Sequence, residues 1–326
     1  MPGQNSNCSE NSVSLVRLKR WAMGTHWEVV VPFGFSGPLE WADRAFEVLS
    51  VEESRLSIFR SNSEVSRLNR LPAGQEIQVS KSLFDLLVRC RKWWEDSDGC
   101  LDIACGGMID GWGFARGPVR LPKEEDVAVW VHVGGMCRLA VNPVGRRVSW
   151  WPESGGLNFG AVGKGFALDQ MGNDLRRSGW PCAMIHGGRS SVLAWGTPPG
   201  EPRGWRVALH HPWKDAIMAE VEIFDGAMGT SAATYKFVEV NRRRLGHVLD
   251  PRTGRPVENC GIVSVLAPDG AEADALSTAI YVGGVEIAKK LAAGRDDLGI
   301  LFLSANGNIC LLGALANRFN LGFSRG

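Results

Sequence analysis

Apolar and polar positions along the chain alternate between two rhythms. Leu15 to Phe33 reads as a strand, a turn around Gly24 and a second strand through Trp27-Glu28-Val29-Val30-Val31. Pro38 to Ile58 changes to helical spacing, with Trp41, Ala45, Phe46 and Leu49 on one face and Glu and Arg on the other. Ser63 and Ser66 frame the capped start of a short helix. Lys81 to Glu95 predicts a longer amphipathic helix striped by Leu83, Leu86, Leu87, Cys90 and Trp94. Residues 124–151 read as a small β-meander, with strands over Val127 to Val133, Cys137 to Val141 and Arg147 to Trp151. A strand from Leu157 then enters a glycine-lined turn and a helix that runs through Leu175. Ala183 to His186 is a buried strand with Ser191 to Trp195 as its hairpin partner, followed by strands at 205–209, 219–225 and 261–267. Glu272 begins the last major helix, and Leu298 to Leu303 pairs with Ile309 to Leu312 across an Asn306-Gly307 turn. The mixture predicts an α+β (mixed α/β) fold over residues 15–326, without a visible linker. A polar N-terminus, 1–14, is expected to be disordered.

Composition excludes more than it assigns. A chain of 326 residues can bury a sizeable core, and a net charge of +1 gives no reason to expect nucleic acid as a partner. Eight cysteines lack the spacing of a disulfide scaffold or a zinc site, so reduced thiols in a cytoplasmic protein are expected. The N-terminus has neither the basic and apolar regions of a secretory signal nor an apolar stretch before Cys8, and no segment is apolar enough to span a bilayer. Thirteen tryptophans are abundant but scattered, and read only as core or pocket material.

Several stretches carry chemistry. Gly246-His247-Val248-Leu249-Asp250-Pro251-Arg252-Thr253-Gly254 packs a histidine, a carboxylate, a guanidinium and a hydroxyl into a turn stiffened by proline. It can present these groups to a ligand, or Asp250 and Thr253 can simply bond their own backbone. Leu157 to Asp169 places Gly160, Gly163, Lys164 and Gly165 where a helix begins. Open N–H groups and a lysine there favour an anion, although neither the Walker nor the Rossmann glycine spacing is present. Asp274 and Thr278 stand four apart on one helix face, a carboxylate and a hydroxyl that would suit Mg²⁺ or serve as a cap with an exposed threonine. Gly99 to Gly107 and Asp110 to Phe114 crowd glycines where backbone bends tightly or approaches a ligand. Met228 to Thr234 is small and hydroxyl-rich.

Taken in order, these stretches resemble the ApbE family of flavin transferases. The resemblance rests on Ala22-Met23-Gly24-Thr25, Leu56 to Asn69, Leu101-Asp102 with Trp112-Gly113-Phe114, and Leu157 to Asp169. It continues through Gly187-Gly188, His247 to Gly254 and Ala273 to Thr278. It implies a two-lobed, T-fold-like architecture with a flavin cleft between intertwined lobes. It implies transfer of FMN from FAD to a threonine or serine hydroxyl of a target flavoprotein, with release of AMP. By position, Ala161 (through its carbonyl), Asp274 and Thr278 would hold Mg²⁺. Met23, Phe59, Cys100, Leu101, Asp102, Lys164 and His247 would touch FAD. His247, with Asp250 and Lys164, would carry the chemistry.

The chain also departs from the family's pattern. Phe59 stands where tyrosine is common, Ala104 where threonine is expected, Arg189 where an acidic or amide residue is usual, and Ser231-Ala232 where Ser-Gly is typical. These mark a divergent member. A Mg²⁺-dependent FAD pyrophosphatase, giving FMN and AMP, and a flavin-binding protein without turnover are the rival readings of the same residues.

Overall fold

A computed structural model describes residues 14–34, 37–150, 155–232, 237–240, 243–258 and 260–322. The expected disordered N-terminus up to residue 13, and Trp151, Ala233 and Thr234 from the stretches above, lie outside the described residues. The described residues form seven α-helices: α1 (Pro38–Leu56), α2 (Glu64–Asn69), α3 (Lys81–Asp96), α4 (Gly106–Gly111), α5 (Glu124–Val133), α6 (Gly163–Arg177) and α7 (Gly270–Ala292).

The frame is an eight-stranded sheet in the spatial order Leu15–Ala22, Thr25–Pro32, Ala183–Gly187, Ser191–Trp195, Gly226–Ala232, Cys260–Ala267, Gly299–Ser304 and Ile309–Leu312. Every neighbouring pair is antiparallel. Side chains on a strand alternate between faces, so Val29 and Val31 point to one layer and Val30 to the other. The first layer holds α1, α3, α6 and α7. The second is a three-stranded sheet of Trp205–His210, Ile217–Ile223 and Phe319–Leu321. Central strands covered on both faces are mostly apolar, and all of Cys260–Ala267 is buried.

Most helices form for local reasons. Pro38 starts α1 with its φ already helical, and Ala42, Ala45, Phe46 and Leu49 give it a buried stripe. Trp41, expected in that stripe, is half-buried against Trp180 instead, with ring centroids 5.2 Å apart. Ser63 and Ser80 cap α2 and α3 by accepting the N–H groups of Ser66 and Leu83. In α3 it is Trp93 that is buried, and Trp94 stays half-buried beside a cavity.

Two expectations from the chain pattern are overturned. Val127 to Val133 is not a strand but lies in α5. Glu124, Glu125 and Asp126 fill the first turn, where carboxylates favour a helix N-terminus, and Val127, Trp130 and Val131 then share one face against Met108 and Trp112. The third strand of that sheet is instead Glu76–Gln78, on the opposite edge, which pairs with Arg147–Trp150, itself paired with Leu139–Asn142. Leu157 to Phe159 is extended but joins no sheet. Asn69 stands in for a neighbouring strand, its Oδ1 accepting from Leu157 N at 2.7 Å and its Nδ2 donating to Leu157 O at 2.9 Å.

The α6–α7 crossing is the tightest contact in the helical layer. A Cβ on Gly165 would stand 1.9 Å from the Gly270 carbonyl oxygen, so only glycine allows the approach. Asp169, one turn further along α6, accepts the Gly270 and Ala271 N–H groups at 2.6 and 2.9 Å and so caps α7. Burial, reinforced by the neighbouring Asp269 carboxylate, pushes its carboxyl up to about 8. Replacing Gly165 with alanine is expected to lower stability by about 1–3 kcal/mol or more, as overpacking of a closed contact does. Urea unfolding of the Gly165→Ala variant measures this, and a wild-type midpoint would refute the crossing as described.

Candidate active site

Asp274 is buried near the start of α7 and gathers oxygen-bearing groups around it. Its Oδ2 accepts the Gly165 N–H at 2.8 Å, and Ser191 Oγ donates to both carboxylate oxygens at 2.8 and 3.0 Å. Gly165 stands in the first turn of α6, whose N–H groups have no acceptor within the helix, and Asp274 satisfies this one. The anion drawn to the start of α6 is therefore first of all a carboxylate of the chain itself. Burial raises the Asp274 carboxyl, opposed by the nearby Lys164 charge and by the hydrogen bonds from Ser191 and Gly165. Thr278 Oγ1 bonds the Asp274 carbonyl at 3.1 Å and lies 3.2 Å from Ser231 Oγ, which also meets Ser277 Oγ at 2.9 Å. A buried carboxylate bonded by one hydroxyl, with others gathered at its backbone carbonyl, suits a hard divalent cation, because the cation removes the cost of keeping that carboxylate ionised.

His247 belongs to a second cluster. It follows the strand Arg243–Gly246 and leads into the two-residue strand Leu249–Asp250, which pairs with Arg255–Pro256. Its ring meets Phe114 edge-on, centroids 6.4 Å apart, and Phe114 in turn stacks on Trp112 at 6.0 Å. Trp112 Nε1 donates to the Gly254 carbonyl at 2.9 Å. The two glycine-rich stretches, 110–114 and 246–254, thus form one unit. Gly254, at φ 71°, closes the turn so near α5 that a Cβ would stand 2.6 Å from Val127.

Asp250 is occupied within its turn. Oδ1 accepts the backbone N–H of Arg252 at 2.9 Å, and the Arg252 guanidinium grips both carboxylate oxygens at 2.9 and 2.8 Å. Thr253 likewise bonds its own turn. The self-bonded reading of these two side chains is the one observed.

Two cavities flank this turn. One, of about 260 Å³, is lined by Trp94, Asp102, Cys105, Met108, Pro251 and Arg252, among others. The second, of about 360 Å³, is lined by Asp250, Thr253, Cys260, Tyr281, Gly284 and Phe302, among others. Tyr281 lies three residues beyond Thr278, so α7 carries the oxygen cluster and one wall of this cavity on successive turns. At Gly284 the helix breaks, with φ 73° and ψ −164°.

Cys100 and Leu101 are buried, and Leu101 N donates to Ser97 Oγ. Asp102 is buried too, its two oxygens accepting from Ala104 N at 2.7 Å and Met136 N at 3.0 Å. Burial nevertheless lifts its carboxyl to about 6. Met23 takes a left-handed conformation, φ 49°, and its N–H donates to Glu53 Oε1 at 2.6 Å. Phe59 is exposed on the turn after α1.

The model of the ApbE family matches residues 23–302. The chain belongs to the ApbE family. The FAD:protein FMN transferase of Escherichia coli K12 is 28% identical over 299 residues, covering 89% of this chain and 84% of that protein. That of Rhodobacter capsulatus is 32% identical over 249 residues, 76% of this chain and 47% of that protein. The apo Pseudomonas stutzeri flavinyl transferase ApbE superposes with a TM-score of 0.83 at 25% identity, covering 95% of this chain and 98% of that one. The Thermotoga maritima ApbE protein, at 24% identity, shares the fold with a TM-score of 0.86 over 95% of this chain and all of that one. The mixed α/β architecture is thus an ApbE architecture.

Within this ApbE chain the expected residues fall into groups. Lys164 and the Ala161 turn come together with Asp274 and Thr278, while His247 and Asp250 belong to the Trp112–Phe114 unit. Three contacts escape sequence reading. Asn69 and Ser191 are ordinary polar residues whose partners lie 83 or more positions away. Trp112 was legible as part of a stretch, but its bond to Gly254 was not. Asp102 gives a pH-dependent test. Its folded value of about 6 lies above the unfolded carboxylate value of about 4, so it stabilises the fold below pH 4 and loses that contribution as pH rises through 6. Asp102→Ala is therefore expected to cost more stability at pH 5 than at pH 7.5, by on the order of 1 kcal/mol. Chemical unfolding at the two pH values checks this, and an equal or inverted difference would refute it.

Proposed function

We propose that this chain is a Mg²⁺-dependent FAD:protein FMN transferase, moving FMN from FAD to a threonine or serine hydroxyl of a target flavoprotein with release of AMP. The observation that carries the reading is the buried Asp274 carboxylate, held by Gly165 and Ser191 beside Lys164, within a chain whose relatives bear that enzyme's name. Asp274, Thr278 and the Ala161 carbonyl are the proposed cation ligands. When bound, the cation would neutralise charge on the pyrophosphate oxygens. Met23, Phe59, Cys100, Leu101, Asp102, Lys164 and His247 are the proposed FAD contacts. The cytoplasm is the proposed place of transfer. No helix among the described residues is long and apolar enough to cross a membrane.

In the transfer, the acceptor hydroxyl oxygen forms a bond to the FMN phosphorus. The anhydride bond to the AMP phosphate breaks, and its electron pair leaves with AMP. Lys164 offsets the negative charge that grows on the phosphoryl oxygens. His247 takes the hydroxyl proton or delivers one to the leaving phosphate, since imidazole is the side chain able to do either near neutral pH. Phe114 fixes the ring's attitude from one side. Asp250, clamped by Arg252, keeps the turn from yielding.

The direct test incubates the protein with FAD, Mg²⁺ and a threonine-containing flavinylation-motif peptide, and reads products by mass spectrometry. A peptide heavier by one FMN, with AMP released, supports transfer. FMN and AMP with unmodified peptide would indicate hydrolysis, and intact bound FAD would indicate a binding protein. His247→Ala is expected to abolish transfer while sparing most FAD binding, and unchanged transfer would remove His247 from the mechanism. Asp274→Asn is expected to lose activity and Mg²⁺ dependence together. An active variant indifferent to metal would show that the ligands are elsewhere.

A further inference from the structure

Glu28 is a buried carboxylate that the transfer reading leaves unused. It stands in one row across the large sheet, opposite Lys19 on the edge strand and His186 on the next strand inward. Its Oε1 lies 3.0 Å from Lys19 Nζ, and its Oε2 meets Arg17 Nη1 at 3.2 Å and His186 Nε2 at 2.6 Å. Burial raises the Glu28 carboxyl, but Lys19 and His186 outweigh burial and hold it below the usual carboxylate value. The carboxyl is therefore ionised and has no proton to lend to His186.

The second nitrogen of that ring, Nδ1, lies 3.2 Å from the Gly188 carbonyl oxygen. A carbonyl oxygen can only accept. Both ring nitrogens thus face acceptors, and only the imidazolium, with a proton on each, bonds both. A neutral ring keeps one bond and turns a lone pair toward the other oxygen. The charged groups that meet this cluster are Arg17 and Lys19 from the edge strand and Glu28 itself, and on the far side the row continues through apolar Val192.

Gly188 opens the turn between the strands Ala183–Gly187 and Ser191–Trp195, and that turn touches both sides of the proposed site. Gly188 takes φ 65°, and its N–H donates to the His26 carbonyl at 2.8 Å. A Cβ there would stand 2.9 Å from Thr25 Oγ1, two residues from Met23. At the other end the Ser190 carbonyl accepts the Thr230 N–H at 2.7 Å, and Ser191 reaches Asp274. The Gly188 carbonyl lies between these anchors and is held by a ring whose charge changes with pH.

We propose that His186 is a positioning residue for the flavin nucleotide: as an imidazolium bonded to Glu28 and Gly188 it locks the 188–190 turn between Met23 and Asp274, and loss of one ring proton releases the Gly188 carbonyl. This rests on the flavin-transfer reading above, in which Met23 and Asp274 serve FAD and its cation. The lock is present at lower pH and is lost as pH rises. The test follows the His186 ring signals in protein labelled with ¹⁵N-histidine, and FAD affinity by quenching of flavin fluorescence, between about pH 5.5 and 8.5. The wild type should carry two ring protons at the acid end and bind FAD about threefold or more weakly once one is lost, as for a single hydrogen bond. His186→Gln, which does not titrate, should lack this part of the pH response. In Glu28→Gln the new amide N–H can donate to Nε2, so a neutral ring keeps its Nδ1 proton for Gly188 and FAD affinity should hold at the alkaline end. A wild-type ring with a single proton over the whole range would overturn the proposal. So would the wild-type pH response in His186→Gln, or a wild-type loss of affinity with rising pH in Glu28→Gln. A protein that bound no FAD would overturn the flavin reading, and the ring signals would still decide whether the lock exists.

Discussion

The close crossing of α6 and α7 is the constraint on which the oxygen cluster depends. Gly165 can approach Gly270 only because neither carries a side chain, and that approach brings the Gly165 N–H to the Asp274 carboxylate. Ser191, on a strand of the large sheet, closes the same carboxylate from a third direction. Helix, helix and sheet therefore meet on one buried anion. Such an anion is costly when isolated and useful when a cation or a lysine stands beside it. Lys164 follows Gly163 directly on the turn that makes the crossing, so the geometry that buries Asp274 also supplies its nearest positive charge.

Around this centre the tryptophans act as ties between segments. Trp27, Trp112, Trp150, Trp180, Trp195 and Trp205 each donate their indole N–H to a backbone carbonyl while burying the ring. Each bond fixes the orientation of a large flat side chain, and those of Trp112 and Trp150 span long stretches of sequence. Trp112 is the one that bears on chemistry, because it joins the loop before α5 to the turn after His247. The abundance that composition left unexplained thus has a mechanical reason in the described fold.

The two clusters differ in chemical type. Charge and hard oxygen atoms collect on α6 and α7, where the backbone is regular and buried. The imidazole, the clamped Asp250 and the exposed Phe59 sit on turns stiffened by proline, glycine and serine. A buried frame holds fixed charges well, whereas turns can place a proton-carrying ring and a stacking face next to an incoming molecule.

Much of this was legible in order along the chain. The helix cap at Ser63, the stripes of α1 and α3, the closing hairpin and the spacing of Asp274 and Thr278 are local, and local rules predict them. The pattern His247 to Gly254, followed by Ala273 to Thr278, pointed to the ApbE family before any contact was known. Tertiary structure decided the rest. Valines between 127 and 133 carry a strand's composition, and it took three carboxylates at a helix start and a partner surface on Met108 and Trp112 to make them helical. Leu157 needed a strand-like partner and found the side chain of Asn69. The carboxyls of Asp102 and Asp169 are lifted by burial, which depends on what packs over them. Residue type and spacing determine which groups a segment can offer. Only the packed chain determines what those groups are desolvated by and whom they meet, because burial and long-range hydrogen bonds belong to pairs of segments and not to either one alone.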